Sequence, residues 1–274
     1  MLRYSLILLF LTAFAGAGIA RSSDNPPAKG SDRLYEVRIY YPKPGKYADI
    51  VDRFRQYTTK LFTKHGMENI GYWTPTDTAR HELIYILAYP NRAARDTSWK
   101  HFGADPDWKA VVAKTEANGK LVDHIDQIFM AEADFSPVVG APAPKPGRAN
   151  VARPGAARAE QPTPRTFELR TYTAEPGKLP DLLTRFRDHT VSLLDKHGMN
   201  NIGYWLTEKV DANGQQQLLY IVAHPTEAGG KQHWGEFSND DAWKTAKTAS
   251  EKNGPLTRKI DAVYLAPTDY SPMK

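Results

Sequence analysis

A nine-residue segment that occurs twice constrains this chain more than any other feature. Residues 65–73 read HGMENIGYW, and residues 197–205 read HGMNNIGYW, 132 positions later. The same spacing aligns residues 35–40 (YEVRIY) with 167–172 (FELRTY). Further on, the spacing grows to 135 because copy two has three more residues in a turn. A repeat of this length indicates two copies of one domain rather than a solenoid of short units.

Both copies show the same order of predicted secondary structure. Residues 34–41 alternate apolar and polar side chains, as a half-buried strand does, and residues 46–64 place apolar side chains at helical spacing. The pairs Asp49–Arg53 and Asp181–Arg185 are expected on the exposed face of this helix. Two strands, a helical hairpin and a last strand at 121–133 follow. The order β-α-β-β-α-β is the ferredoxin-like α+β arrangement, with helices on one face of an antiparallel sheet.

The uncovered sheet faces predict how the two copies assemble. A sheet with helices on only one face needs a partner for the other face, and the second copy is in the same chain. The segment 138–164 is rich in Pro, Ala and Arg, and a linker of this composition extends to roughly 80 Å at about 3.1 Å per residue. We therefore expect domains at 34–137 and 165–274 to pair within one chain as an α/β barrel.

The N-terminal segment has the features of an export signal. Residues 1–20 combine Arg3, an apolar run and small residues, which is the order of a cleaved signal peptide. The composition of residues 21–33 predicts a disordered tail. The apolar run is shorter than a membrane span, so no stable membrane insertion is expected after cleavage. The chain contains no cysteine, which excludes disulfides and thiol catalysis. These features predict a secreted or periplasmic protein.

The distribution of charge excludes one class of partner. The formal net charge is +5, but the basic surplus lies in the N-terminal segment and in the linker. The two predicted domains together are therefore neutral. Because they offer no basic surplus, no nucleic-acid partner is predicted.

The ordered motifs of each copy resemble the NIPSNAP domain. In copy one these are YEVRIY followed by PGK, the FR pair in the long helix, HGMENIGYW, LIYILAYP, and the tryptophans at 99 and 108. The resemblance covers about residues 34–137 and 166–272. It implies the dimeric α/β-barrel superfamily, in which two ferredoxin-like sheets face each other around a lumen. That fold is similar to those of haem-degrading and quinone-forming monooxygenases and of chlorite dismutases. The resemblance implies no particular activity, because no activity is agreed for the family. Any catalytic or binding role therefore has to be inferred from the residues themselves.

Polar residues on the first strand of each copy are candidates for a binding site. If the apolar face of this strand meets the helices, the polar face lines the lumen. The residues on the polar face are Glu36, Arg38, Tyr40, Glu168, Arg170 and Tyr172. A Glu and an Arg two positions apart lie close enough to pair. They form either a buried ion pair that sets register, or a site where Arg and Tyr bind a carboxylate or phenolic ligand.

Repeated aromatic residues and histidines are the remaining candidates. The aromatic candidates for the walls of a pocket, or for core packing, are Trp73, Tyr85, Trp205 and Tyr220. His65 and His197 are the only histidines that recur at matched positions. Each is a candidate base or ligand, or a residue that interacts with the C-terminus of the preceding helix.

The sequence alone does not decide between two functions. One is an exported module that binds a small planar or acidic molecule or another protein. The other is a cofactor-independent or haem-dependent oxygenase or isomerase that works in the barrel lumen. No metal motif, paired carboxylate cluster or phosphate loop is present in the sequence. We therefore predict no metal and no cofactor, with haem as the alternative, and favour the binding function.

Overall fold

The computed structural model describes residues 33–137, 139, 165–208 and 216–274. The predicted signal peptide, nearly all of the predicted tail and nearly all of the linker lie outside these residues, so those assignments stay predictions. No helix of the described residues is long and apolar enough to cross a membrane.

The elements of the described residues form two equivalent sets. The strands are β1 (Leu34–Pro42), β2 (Glu68–Pro75), β3 (Leu83–Tyr89), β4 (Val122–Glu132), β5 (Thr166–Ala174), β6 (Asn200–Thr207), β7 (Leu218–His224) and β8 (Thr257–Pro267). The α-helices are α1 (Tyr47–Arg53), α2 (Thr59–Lys64), α3 (Arg92–Ala104), α4 (Pro106–Thr115), α5 (Leu179–Arg185), α6 (Val191–Lys196), α7 (Glu227–Asn239) and α8 (Asp241–Ser250). Two π-helical turns, Phe54–Thr58 and Phe186–Thr190, join α1 to α2 and α5 to α6.

The strands close into one antiparallel barrel in the order β1-β3-β2-β8-β5-β7-β6-β4. Each copy contributes a four-stranded sheet, and the two sheets meet at two short ladders. In one ladder, residues 73–75 of β2 pair with residues 265–267 of β8. In the other, residues 130–132 of β4 pair with residues 205–207 of β6. The predicted fold, two ferredoxin-like repeats that form an α/β barrel within one chain, is confirmed.

The interior of the barrel is filled by apolar side chains from both copies. Its buried members include Tyr35, Val37, Trp73, Ile84, Ile86, Phe167, Leu169, Trp205, Leu219 and Ile221. The expectation that the apolar face of the first strand meets the helices is therefore wrong. The face with Tyr35 and Val37 packs in the interior, and the Tyr35 hydroxyl there donates hydrogen bonds to Glu132 and, at 2.8 Å, to the carbonyl of Val139. The face with Glu36 meets the helices, where Arg95 binds its carboxylate.

The long helix of each copy contains a π-helical turn that the sequence did not predict. In copy one, the buried residues Ile50, Phe54, Thr58 and Phe62 follow one another at every fourth position. An α-helix has 3.6 residues per turn, so this spacing would rotate the side chains away from the core. One wider turn brings them back to the buried face.

The last residues of each copy bind to the other copy. The hydroxyl of Ser271 accepts a hydrogen bond of 2.9 Å from the backbone N–H of Tyr72. Ser136 makes the same 2.9 Å contact with the backbone N–H of Tyr204. Both serines belong to a repeated motif, DFSP at residues 134–137 and DYSP at residues 269–272, which therefore helps to hold the two halves of the barrel together.

Candidate functional site

A buried carboxylate lies between the sheet and the helices of copy one. Glu36 accepts hydrogen bonds from Arg38 at 2.7 Å, from Gln127 at 2.7 Å and from Tyr89 at 3.1 Å, and Arg95 binds it through two N–H groups at 3.0 and 3.1 Å. Burial alone would raise the pKa of Glu36, but the Arg95 and Arg38 donors outweigh it and lower the pKa. This carboxylate is saturated with donors, so its contacts stabilise the fold.

The matched carboxylate of copy two has different partners. Glu168 accepts hydrogen bonds from Arg170 at 2.6 Å and from Trp234 at 2.5 Å, and His224 Nε2 lies 3.2 Å away. His224 Nδ1 in turn lies 3.4 Å from His233 Nδ1. Burial would raise the pKa of Glu168, whereas His224 and Arg170 lower it further than burial raises it. The two copies therefore share the ion pair but have diverged around it.

These contacts correct the predicted location of most candidate residues. The residues that pack toward the helices rather than into the lumen are Glu36, Arg38, Tyr40, Tyr85, Glu168, Arg170, Tyr172 and Tyr220. Only Trp73 and Trp205 point into the barrel, where they belong to the packed core. The predicted Glu–Arg ion pairs are present, and a role for any of these residues toward a ligand stays a prediction.

A cavity of about 230 Å³ lies next to this layer in copy two. Its walls come from β5, β7, β8, the π turn and the helices α7 and α8. The residues that matter most for its chemistry are Tyr172, Arg185, Tyr220, Trp234, Trp243 and Thr257. The cavity lining therefore combines aromatic side chains with polar and charged ones, and a mixture of apolar walls and placed polar groups is typical of a small-molecule site.

Three buried polar atoms on the cavity residues have no hydrogen-bond partner within the described ranges. They are the hydroxyls of Tyr220 and Thr257 and Nε of Arg185. Burial raises the pKa of Tyr220 well above its ordinary value, so its hydroxyl stays protonated and is a donor. Because buried polar groups are nearly always paired in folded proteins, these atoms are the places where the polar groups of a bound molecule would make hydrogen bonds.

Arg185 occupies the cavity wall because of the π turn. It is the residue just before the turn Phe186–Thr190, and its Nη1 donates a hydrogen bond of 2.8 Å to Glu251 on the last turn of copy two's helical hairpin. The expected exposed pairs Asp181–Arg185 and Asp49–Arg53 are wrong, since both arginine side chains are buried. Single π turns are frequent at functional sites. The sequence shows that this arginine recurs as Arg53 in copy one, but it does not show the burial, which depends on a turn that periodicity does not reveal.

The matched region of copy one is less polar. Val112 and Val122 stand where copy two has Lys247 and Thr257. Two shallower grooves of about 370 and 290 Å³ lie on the outer surface, one in each copy, and are lined mainly by exposed polar and charged side chains. The Tyr85 hydroxyl and Arg53 Nε of copy one are also buried without a hydrogen-bond partner in the described residues. The cavity of copy two adds Thr257 and Lys247 to such donors and to aromatic walls, so it is the better candidate site.

The repeated histidines join two helices. His65 Nε2 lies 2.6 Å from a carboxylate oxygen of Asp105, whose other oxygen caps the N-terminus of α4. The matched pair, His197 and Asp240, lies at 2.7 Å. Lys64 and then His65 hold the pKa of Asp105 well below its usual range. This geometry supports the structural role, and a role as base or ligand stays a prediction. In the parts of the chain that the structure describes, no group of three acidic or histidine side chains is arranged to hold a metal ion.

Comparisons with known proteins place this architecture among its relatives. A family model described as NIPSNAP matches residues 35–137 and 167–272. NipSnap homolog 3B of Mus musculus is 24% identical over 250 residues, which are 90% of this chain and 89% of that protein. NipSnap homolog 3A of Pongo abelii is 22% identical over 275 residues, which are 100% and 99% of the two chains.

Similarity to solved structures extends over both copies. A structure from Lactobacillus acidophilus that carries a provisional monooxygenase description has a TM-score of 0.54 at 9% identity, over 86% of this chain and 93% of that one. An anthrone oxidase-like protein has a TM-score of 0.51 at 10% identity, over 88% and 93%. At such identities the likeness shows the fold alone.

Proposed function

The chain belongs to the NIPSNAP family, and from that premise we propose that it binds a small molecule in the cavity of copy two. The observation that carries this proposal is the cavity itself, whose wall combines aromatic rings with three buried polar atoms, Nε of Arg185 and the hydroxyls of Thr257 and Tyr220, of which the Tyr220 hydroxyl is a donor. A ligand oxygen that accepts from this hydroxyl would remove the cost of leaving it unpaired.

The walls of the cavity favour a planar, acidic ligand. The rings of Trp234 and Trp243 and the ring of Tyr172 offer flat apolar surface, while Lys247 at the rim and Arg185 on the wall supply positive charge against Glu251. A volume of about 230 Å³ is smaller than the roughly 300–1,000 Å³ of drug-sized sites. The ligand class is therefore an aromatic acid or phenol of one or two rings.

The alternative function, an oxygenase or isomerase that works in the lumen, is less favoured by the placement of the polar residues. The interior between the two sheets holds a buried cluster that includes Trp73 and Trp205, whereas the polar residues of the first strands face the helices. We therefore place any binding on the helix side of the sheet.

We also propose that the protein is exported and functions outside the cytoplasm. The order of a basic residue, an apolar run and small residues in positions 1–20 supports this proposal. Intact-mass measurement of secreted or periplasmic material is expected to show a chain that begins near Arg21. Recovery of the chain with Met1 in a membrane fraction would contradict it.

Titration with 2-naphthoate tests the proposed site. Tyr220→Phe keeps the ring and removes the donor, so the affinity is expected to fall about five- to tenfold, the effect of one hydrogen bond. Tyr85→Phe makes the same change at the matched position of copy one and is expected to bind like the wild type. Equal affinities for all three proteins, or no binding at millimolar probe, would contradict the proposal.

A further inference from the structure

A second concave surface of copy two lies on the outside of the molecule. It is a groove of about 370 Å³ between α5 with its π turn and the end of α8 with the turn that follows. Among the described residues that line it, His189 is the only one with a ring. The groove therefore suits a hydrophilic ligand rather than the aromatic acid proposed for the inner cavity.

Positive charge exceeds negative charge along this groove. Its basic side chains are Lys178, Arg185 and Lys252, and the one carboxylate among its described lining residues is that of Asp181. Lys178 Nζ lies 3.6 Å from this carboxylate, and both side chains reach solvent, so the ion pair is a weak one. The groove therefore attracts anions.

One of these cations is buried and held in place. The Arg185 side chain is 4% exposed, and its Nη1 donates hydrogen bonds to Glu251 at 2.8 Å and to Ser250 Oγ at 3.3 Å. Its guanidinium also lies 5.1 Å from the centre of the Trp243 ring. Glu251 balances this charge, but it lines the inner cavity and not the groove. An anion in the groove therefore meets a guanidinium that is already ordered, so binding does not have to immobilise it.

We infer that this groove binds the phosphate group of a small, hydrophilic molecule. The oxygens of a phosphate are arranged tetrahedrally, so one group can accept hydrogen bonds from both walls. Lys178 and Thr184 belong to the wall formed by α5, and Lys252 belongs to the wall formed by the turn after α8. A phosphate carries about −1.5 to −2 charges at neutral pH. A carboxylate has one charge and two oxygens in one plane, so it is expected to bind more weakly.

The matched groove of copy one contains an additional carboxylate. Asp52 stands at the position of Thr184, and Ala117 stands at the position of Lys252. Both Asp49 and Asp52 line the groove of copy one. An anion there would meet two carboxylates instead of one.

The lysines of copy one's groove are also held more firmly by their neighbours. Lys46 Nζ lies 3.1 Å from Asp49, compared with 3.6 Å in the matched pair of copy two. Lys114 Nζ donates a hydrogen bond of 2.9 Å to the Tyr57 hydroxyl. Copy two has no lysine at the position of Lys114 and has Lys252 instead. An anion therefore competes with fewer groups of the protein in copy two.

The groove and the inner cavity are separate sites. Of the residues that line them, only Arg185 is common to both. The inference therefore does not depend on the proposed aromatic ligand. Thr184 and Lys252 line the groove alone, so substitutions there test the groove without altering the inner cavity.

Isothermal titration of the mature chain with inorganic pyrophosphate tests the inference, at low ionic strength because salt screens exposed charges. The wild type is expected to bind one pyrophosphate per chain with a dissociation constant of about 0.1 to 1 mM. Thr184→Asp introduces the carboxylate of copy one and is expected to weaken binding at least about tenfold. Lys252→Ala removes one cation and is expected to weaken binding about threefold or more. Acetate is expected to bind the wild type at least about tenfold more weakly than pyrophosphate.

Lys114→Ala is the matched control, because it removes the same charge from the groove of copy one, and it is expected to leave the affinity unchanged. Thr184 and Lys252 are both exposed, and circular dichroism checks that their variants are folded. Titration of the same variants with 2-naphthoate keeps the outcomes of the two proposals apart, since neither residue lines the inner cavity.

A wild-type chain that binds no pyrophosphate up to about 10 mM would overturn the inference. So would Thr184→Asp or Lys252→Ala variants that bind like the wild type, two equivalent sites per chain, or acetate that binds as tightly as pyrophosphate. A Lys114→Ala variant as weak as Lys252→Ala would overturn it too, because binding would then follow the net charge of the chain and not this groove.

Discussion

The indole ring of Trp73 lies over Gly71 so closely that a Cβ on residue 71 would come within 2.2 Å of the ring. In copy two, Gly203 and Trp205 have the same relationship, with a nearest ring distance of 2.5 Å. Both tryptophans fill the barrel interior. The repeated sequence I-G-Y-W therefore has a packing reason, since the tryptophan fits only beside a residue without a side chain.

Replacement of Gly71 by alanine is expected to destabilise the protein by about 1–3 kcal/mol, the usual cost of overpacking a core. Chemical denaturation measures this difference. Gly103→Ala is the control, because a Cβ there meets nothing within 4 Å. That change in helix α3 is expected to be neutral or slightly stabilising. A Gly71→Ala protein as stable as the wild type would contradict the packing explanation.

The sequence predicts the architecture of this molecule because the repeat shows every element twice. Strand order, helix positions and pairing within one chain all follow from the repeat and from the one-sided sheets. The orientation of β1 does not follow. Tyr35 and Glu36 are both buried, so alternation separates two faces without saying which one meets the helices.

The candidate site could not be predicted from the sequence, for a different reason. Tyr220 and Trp234 are recognisable as repeated aromatic residues. Arg185 is recognisable as a repeat of Arg53, but nothing in the sequence places it or Thr257 at a cavity. The cavity arises where residues from strands, helices and a π turn converge, and the width of the gap between them depends on packing. The sequence does show that the copies differ at some of these positions. Lys247 and Thr257 of copy two correspond to Val112 and Val122 of copy one.

Loss of the strand-one arginine is expected to be more harmful in copy two than in copy one. In Arg38→Ala, Glu36 keeps Arg95, Gln127 and Tyr89 as donors. We expect a cost of about 1–3 kcal/mol, that of a lost buried hydrogen bond.

In Arg170→Ala, Glu168 keeps only Trp234 and His224. The expected cost is about 3–5 kcal/mol, that of a buried charge without a counter-ion. Urea unfolding of the two variants measures the difference. Equal costs would show that Arg95 does not compensate for the loss of Arg38.

The carboxylate of Asp105 is expected to make stability depend on acid pH. Its pKa is lowered in the folded state by Lys64 and His65, so the contribution is present above the unfolded value of about 3.9 and is lost as pH falls below it. Asp105→Asn keeps an N-cap residue and removes the charge. Its free energy of unfolding is expected to fall less steeply than that of the wild type between about pH 5 and pH 2.5. Identical slopes would contradict the assigned role.

The two halves of the barrel are expected to stay together after the linker is cut. Arg55 binds both carboxylate oxygens of Asp269 at 2.7 and 3.0 Å, and Ser271 binds the backbone of Tyr72. These contacts add to the two ladders and the shared interior. A protease site placed near residue 150, followed by cleavage and gel filtration at about 1 µM, is expected to give one peak that contains both halves. Two separate, folded domains would contradict the intrachain barrel.

The stoichiometry of ligand binding tests the central claim most directly. The chain has two copies of one domain, but the cavity with unpaired donors, lysine and threonine belongs to copy two. Isothermal titration of the mature chain with 2-naphthoate is therefore expected to give one bound molecule per chain. Two equivalent sites per chain, or no binding at all, would contradict the account.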